Sequence, residues 1–274
     1  CVTDDISSKD VSSFVGNTDE TFCLSLGAAW IFSEGIIKNL FQNHLYNIHG
    51  TRLPQNRGGA SISWQILLGS RFGFCQLHMI DGGIDTGNII KSQEFLYPSS
   101  CRIPLDYEKV YFEKNSKFIK DFINIAFSKG IDVETTAQMD YLSSYWPRLN
   151  TEINGWINWD HKLDSIEKFI CAFDDPYIGA STSLNGKKVF LKKASSDFSD
   201  GKFHKYQSGL IFRTNEKWVC IATEDGTLII EEVLDINGKN ILKTLKVGDR
   251  FITSDKDLTT SKKRVIYTPK GIKD

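Results

Sequence analysis

Leu45-Tyr46-Asn47-Ile48-His49-Gly50-Thr51-Arg52-Leu53-Pro54 reads as a short strand that stops at a glycine and runs into a loop. Upstream, Thr21-Phe22-Cys23-Leu24-Ser25-Leu26-Gly27 predicts a buried strand with Gly27-Ala28-Ala29 at its tip, and Ile36 to Phe41 a short helix. Downstream, the Gly58-Gly59 pair precedes a predicted helix from Ser61 to Leu68, with Ile62 and Ile66 on one face. Gly73 to Ile80 alternates as a strand does, and Ile89 to Tyr97 forms another strand closed by Pro98-Ser99-Ser100. Tyr107 to Phe127 is the clearest amphipathic helix. Val110, Phe118, Ile119, Phe122, Ile123 and Ile125-Ala126 fall at helical spacing, and Gly130 is the expected stop. Strands alternating with helices are the α/β signature. Residues 1–20 are polar and show no clear period.

Beyond Tyr145-Trp146-Pro147-Arg148 the texture changes. Trp156-Ile157-Asn158-Trp159 leads into a short helix from Leu163 to Phe173. Strands are expected at Lys188–Lys192, Gly209–Thr214, Trp218–Ala222 and Thr227–Val233. Asn185-Gly186, Asp225-Gly226 and Asn237-Gly238 punctuate them as hairpin signals. The expected organisation is an α/β unit over 1–150, including a linker, and a small β-rich unit over 151–274. The change of texture lies between residues 145 and 180.

The 274 residues are enough for one large domain or two modest ones. With 41% hydrophobic and 24% charged residues, the chain has globular composition. A net charge of −1 lacks the basic excess of a typical polyanion binder, which argues against a nucleic-acid partner. No apolar run reaches the roughly 18–20 residues of a membrane span, and Cys1 to Asp10 is too polar for a signal peptide. The six cysteines are scattered, with no CxxC pair, so reduced thiols and a cytoplasmic location are expected.

Asn47 and His49, two apart at a strand end, project to the same side. The turn Asp81-Gly82-Gly83-Ile84-Asp85-Thr86-Gly87 adds a carboxylate. An amide donor, a titratable ring and an acid suit acyl-type transfer, in which one group holds a carbonyl oxygen while the others manage protons. Taken alone, Asn47 and His49 equally suit a satisfied polar pair in a loop. Asp85-Thr86-Gly87 also resembles the triplet of aspartic proteases, but that chemistry needs a second such aspartate and the sequence has no second copy. His44, His49, His78 and Asp85 lack short metal-ligand spacing, and no metal is expected.

Two segments, NIHGTRLPQNRGGASISWQIL over residues 47–67 and GFCQLHMIDGGIDTGNII over 73–90, resemble the core of the folate-dependent formyltransferases. YWPRLNTEINGWINW, AFDDPYIGAST and EDGTLIIEEV followed by NGK are similar to the linker and C-terminal domain of the tRNA and aminoarabinose members. The resemblance extends over roughly residues 21–252. It implies a partial Rossmann-like sheet followed by an OB-like β unit, with Asn47, His49 and Asp85 as the catalytic trio. It implies that 10-formyltetrahydrofolate is the co-substrate, lying along Gly27, Ala28 and Trp30, Leu53 and Pro54, and Asp81, Gly82 and Gly83. Glycines there let the backbone approach a flat ring. Arg57 beside Gly58-Gly59 has two open readings, a phosphate or carboxylate contact and plain solvation. Trp64 is expected to pack.

The phrase HGTRLP-x-x-RGGA resembles the sugar N-formyltransferases more closely than the tRNA members, which commonly carry SLLP after the histidine. The expected acceptor is therefore the amine of a nucleotide-linked amino sugar, a 4-amino-4,6-dideoxy sugar on dTDP in the first place, as used for surface polysaccharides. A methionyl-tRNA acceptor and a non-catalytic folate-binding remnant are the alternatives. A homodimer is left open. Family members begin with a strand–helix–strand unit ahead of the strand matching Cys23–Gly27, whereas about twenty residues precede it here. The resemblance therefore implies a fragment of a longer protein in the first place, or else a degenerate member, with apolar sheet edges exposed where those strands would pair.

Overall fold

The computed structural model describes residues 5–6, 8–16, 21–129, 134–268 and 270–273, with the side chains of 127–129 left out. The expected stop at Gly130 and the thiol of Cys1 lie outside the described residues. In the polar leader, Lys9–Val15 forms helix α1, with Ser8 accepting the Val11 N–H at its start. Its Val15 packs with Phe32, Ile37, Phe41 and Leu45 in a small cluster. The predicted helix at Ile36 to Phe41 is a wide π-turn over Ile36–Leu40.

The first sheet has the order β1 (Cys23–Ser25), β2 (Leu45–His49), β4 (Phe72–Met79), β5 (Ile89–Leu96). Strand β1 runs parallel to β2, while β4 is antiparallel to both β2 and β5. The expected buried strand at Thr21–Gly27 is corrected to three half-buried residues on a terminal strand, with Leu26 beyond it 61% exposed. β4 does not alternate in burial. Gly73 to His78 are buried without interruption because the strand is central and covered on both faces. Helix α3 (Pro104–Lys129) lays Phe118 and Phe122 against Tyr46, Ile48, Cys75 and Leu77, although Ile125 of the predicted stripe is exposed. A short parallel pair, β3 (Arg57–Gly58) with β6 (Tyr145–Trp146), ties the loop after β2 to the linker. Helix α2 (Ser61–Leu68) follows β3.

After the single turn α4 (Thr151–Asn154) comes helix α5 (Leu163–Ala172), which packs on α2. The C-terminal sheet is a six-stranded antiparallel array of β7 (Ala180–Leu184), β8 (Lys187–Asp197), β9 (Ile211–Thr214), β10 (Val219–Thr223), β11 (Gly226–Asp235) and β12 (Phe251–Ile252). Its order is β12-β7-β8-β11-β10-β9. Asn185-Gly186 makes the β7–β8 turn with φ of 50° and 74°, the left-handed pair such hairpins require. Helix α6 (Asp255–Thr260) and the small hairpin β13 (Tyr267–Thr268) with β14 (Gly271–Ile272) finish the fold. Among the described residues no helix is long and apolar enough to cross a membrane.

Candidate active site

The ends of β1 and β2, the loop after β4 and one face of α3 enclose a cavity of about 670 Å³. Asn47, His49 and Asp85 all line it. Register does much of the placing. Asn47 sits directly across from His78 in the β2–β4 ladder, and His49 across from Gln76. The Gln76 carboxamide accepts the Leu53 N–H and donates to Ser92 Oγ at 3.0 Å, which pins the loop leaving His49.

Asp85 lies between two imidazoles. Its Oδ2 is 3.6 Å from His49 Nδ1 and its Oδ1 is 3.5 Å from His78 Nε2. The far nitrogen of each ring faces a main-chain carbonyl, His49 Nε2 at 2.7 Å from Asn56 O and His78 Nδ1 at 2.8 Å from Met79 O. Carbonyl oxygens only accept, so those far nitrogens carry the hydrogens. In the neutral rings the lone pairs then face the carboxylate. His78 Nε2 accepts from Asn47 Nδ2 at 3.1 Å, which turns the Asn47 amide nitrogen inward and leaves its second N–H to donate. The Thr51 hydroxyl, 2.8 Å from His49 Nε2, donates to Asn56 O.

Electrostatics sharpen this arrangement. Burial is the largest influence on His49 and lowers its pKa below 6.5, outweighing the opposing pull of Asp85. Burial pushes Asp85 upward, yet its contact with His78, its interaction with His49 and the Gly58 N–H together bring it down to about 2. At neutral pH the site therefore holds an ionised carboxylate beside a neutral His49 ring.

The turn that carries Asp85 is rigid. Asp85 adopts φ 52°, a left-handed conformation costly for a residue with a side chain. It is held there by the Gly58 N–H on Oδ2 at 2.9 Å and by Gln138 Nε2, which donates to Asp85 O at 2.8 Å and Gly87 O at 2.7 Å. Gly87 passes so close to Met79 that a Cβ would lie 2.0 Å from its carbonyl oxygen. Asp81 closes the turn by accepting from Gly83 N–H and the Thr86 hydroxyl.

Of the other expected site residues, Gly27, Ala28, Trp30, Asp81 and Gly83 line the cavity. Leu53, Pro54 and Gly82 do not. Leu53 is buried and bound to Gln76, and Gly82 faces Glu34. Arg57 is a correction. It is buried, its guanidinium donates to Gln138 at 3.0 Å and pairs with Asp140 at 2.9 Å, so it braces the Asp85 turn and is not free for a phosphate. Trp64 packs on Trp146 and donates to Pro147 O, as expected. The sequence singles out His78 only as a candidate metal ligand, because its link to Asn47 is a long-range register relation. The only local signal was a histidine inside the strand that leads to Asp81.

The Formyl transferase, C-terminal domain family matches residues 150–247. The methionyl-tRNA formyltransferase of Ruminiclostridium cellulolyticum is 26% identical over 212 residues, 77% of this chain and 66% of that enzyme. The chain thus covers just under two thirds of that relative's length. Among solved structures, HypX from Aquifex aeolicus in complex with tetrahydrofolic acid superposes with a TM-score of 0.60 at 19% identity, covering 85% of this chain and 39% of that one. WlaRD, a sugar 3N-formyltransferase solved in the presence of dTDP and 5-N-formyl-THF, superposes at 0.52 and 25% identity, covering 78% and 72%. The fold is an α/β sheet joined to a curled antiparallel sheet, and it is shared with HypX and WlaRD. Residues 150–247 thus match a formyl transferase C-terminal domain, and the chain is similar to formyltransferases over most of its length.

Proposed function

We propose that this protein transfers a formyl group from 10-formyltetrahydrofolate to the amine of a nucleotide-linked amino sugar. The observation that carries the transfer is the convergence of Asn47, His49 and Asp85, braced by His78, in one cavity. The residues suit a reduced folate. Trp30 and Ala28 offer apolar surface, and the Gly27 and Gly83 backbones admit close approach of a flat ring. The folate supplies the activated formyl carbon.

The chain's own groups do the rest. The free N–H of Asn47 donates to the formyl oxygen as negative charge grows there. His49 Nδ1, backed by the Asp85 carboxylate, accepts a proton from the attacking amine. The new C–N bond forms as the bond from the formyl carbon to the folate nitrogen breaks, and the proton returns to that nitrogen. The products are a formamide and tetrahydrofolate, with no other reactant consumed.

For the acceptor, the loop Gly50-Thr51-Arg52-Leu53-Pro54 and the likeness to WlaRD support a nucleotide sugar. The curated relatives instead include methionyl-tRNA formyltransferases, which makes methionyl-tRNA the competing acceptor. The test is tetrahydrofolate release by the full-length protein on a panel of dTDP-linked 4-amino- and 3-amino-dideoxy sugars and on methionyl-tRNA. Turnover of one sugar at a rate unaffected by moderate salt is the expected result. Turnover of tRNA alone, falling steeply with salt, rejects the sugar reading. Folate binding with no turnover of any amine rejects transfer.

A further inference from the structure

The cavity has a second chemical end that the catalytic trio does not use. Arg148 and Arg264 both line it. Each guanidinium lies over a tyrosine ring that also lines it, Arg148 over Tyr267 at 5.4 Å and Arg264 over Tyr145 at 5.8 Å. Among the described residues neither arginine has a carboxylate partner. Arg148 makes one long hydrogen bond, to Ala28 O at 3.3 Å. Of the cavity carboxylates, Asp81 is held by its own turn and Asp85 by Gly58 and the histidines, and Glu108, which also lines the cavity, makes no ion pair with either arginine among the described residues.

This pair is tied to the catalytic end through one dipeptide. Gly58 N–H holds Asp85, while a Cβ on Gly59 would meet Arg148 at 3.1 Å. The partner arginine arrives from the far end of the chain. Asn154 Nδ2 donates to the carbonyls of Ser261 and Lys263, and Asn150 Nδ2 lies 3.3 Å from the Tyr267 hydroxyl. These bonds strap residues 261–267 onto α4, so that Arg264 and Tyr267 become cavity wall. Two guanidinium groups without an ion-pair partner among the described residues, each over a tyrosine ring of the same cavity, suit the oxygens of a pyrophosphate.

We infer that Arg148 and Arg264 form a clamp for the pyrophosphate of the acceptor, so that a segment beyond the family match at 150–247 sets acceptor choice. This rests on the proposed transfer to a nucleotide-linked amine and deepens it. The probe is dTDP, titrated calorimetrically into the full-length protein without folate. Binding of one dTDP is expected, weakened about tenfold or more by Arg148→Ala and by Arg264→Ala. Arg264→Lys should recover only part of the loss, because a point charge lacks the guanidinium fork. His49→Asn should bind dTDP as the unaltered protein does. Arg264 is exposed, so its variants are expected to melt with the parent.

No dTDP binding, or binding indifferent to both alanine substitutions, overturns the clamp. So does an unchanged KM for the acceptor in an otherwise active Arg264→Ala enzyme, and in that case transfer itself stands. Arginine-dependent dTDP binding without turnover of any amine upholds the clamp and fails the transfer reading instead.

Discussion

At the scale of single residues, the site is a carboxylate between two imidazoles. The main-chain carbonyl behind His49 takes its Nε2 hydrogen, so in the neutral ring Nδ1 faces the carboxylate with its lone pair. A proton gained by His49 lands on Nδ1, between ring and carboxylate, where the base must act. Asp85→Asn removes the charge that stabilises it, and a loss of about 10²–10⁴-fold in kcat is expected with the fold retained. Near-normal turnover would remove Asp85 from the mechanism. The lowered pKa of His49 gives the pH profile a sign. The ring is neutral above its ordinary value of 6.5, so kcat/KM should hold through neutrality and fall only below pH 6.5. Stability shares that direction. As pH falls through 6.5 the unfolded chain takes up the His49 proton first, so the native state loses ground there. Urea melts between pH 5 and 8 should show the slope, reduced in His49→Asn. His78 acts at one remove, by fixing the Asn47 amide. His78→Ala should lower kcat while leaving the KM for folate near its starting value.

At the scale of elements, the sequence revealed the strand carrying Asn47 and His49, the helices after Gly59 and before Phe173, and the hairpins at Asn-Gly and Asp-Gly. Each of these is a local pattern, whether apolar spacing or a turn residue. Elements whose reason for existing is distant stayed hidden. Ala180–Leu184 carries two serines and a threonine, and it is a strand because β8 and β12 pair with it. β3 is two residues long and exists only through its register with Tyr145 and Trp146. The trio proposed as catalytic was legible as residue types, whereas its bracing by His78, Gln138 and Arg57 depended on contacts made across the fold. Gly58 shows what such an element is for. With φ 112° and a Cβ position 2.0 Å from Trp146 O, it admits no side chain unless the β3–β6 pair opens. Gly58→Ala is expected to lower both the melting temperature and kcat, since the same N–H holds Asp85. Gly186→Ala, with open space around it, should leave kcat unchanged. Equal kinetics in the two variants would separate the ribbon from catalysis.

At the scale of the molecule, the largest core does not respect the change of texture near residue 150. Ile66 of α2, Tyr97 and Tyr107 share one cluster with Ile166 and Ile170 of α5 and with Leu191, Ile221 and Ile230 of the C-terminal sheet. Ser63 Oγ also reaches across to Ala172 O at 3.0 Å. Two units that bury their apolar faces against each other through α2 and α5 gain stability from one another and unfold together. The strapped residues 261–267 add the same coupling at the cavity, because they are held by the linker and face the first sheet's site. Ile66→Ala places a void in that shared layer, and a cost of about 2–5 kcal/mol is expected. The tryptophans provide the readout, with Trp30, Trp64 and Trp146 before residue 150 and Trp156, Trp159 and Trp218 after it. Urea denaturation followed by their fluorescence and by far-UV circular dichroism should give coincident transitions, both shifted to lower urea by Ile66→Ala. Two separated transitions, with the substitution moving only the first, would show that the halves are independent and that the α2–α5 contact carries little of the stability.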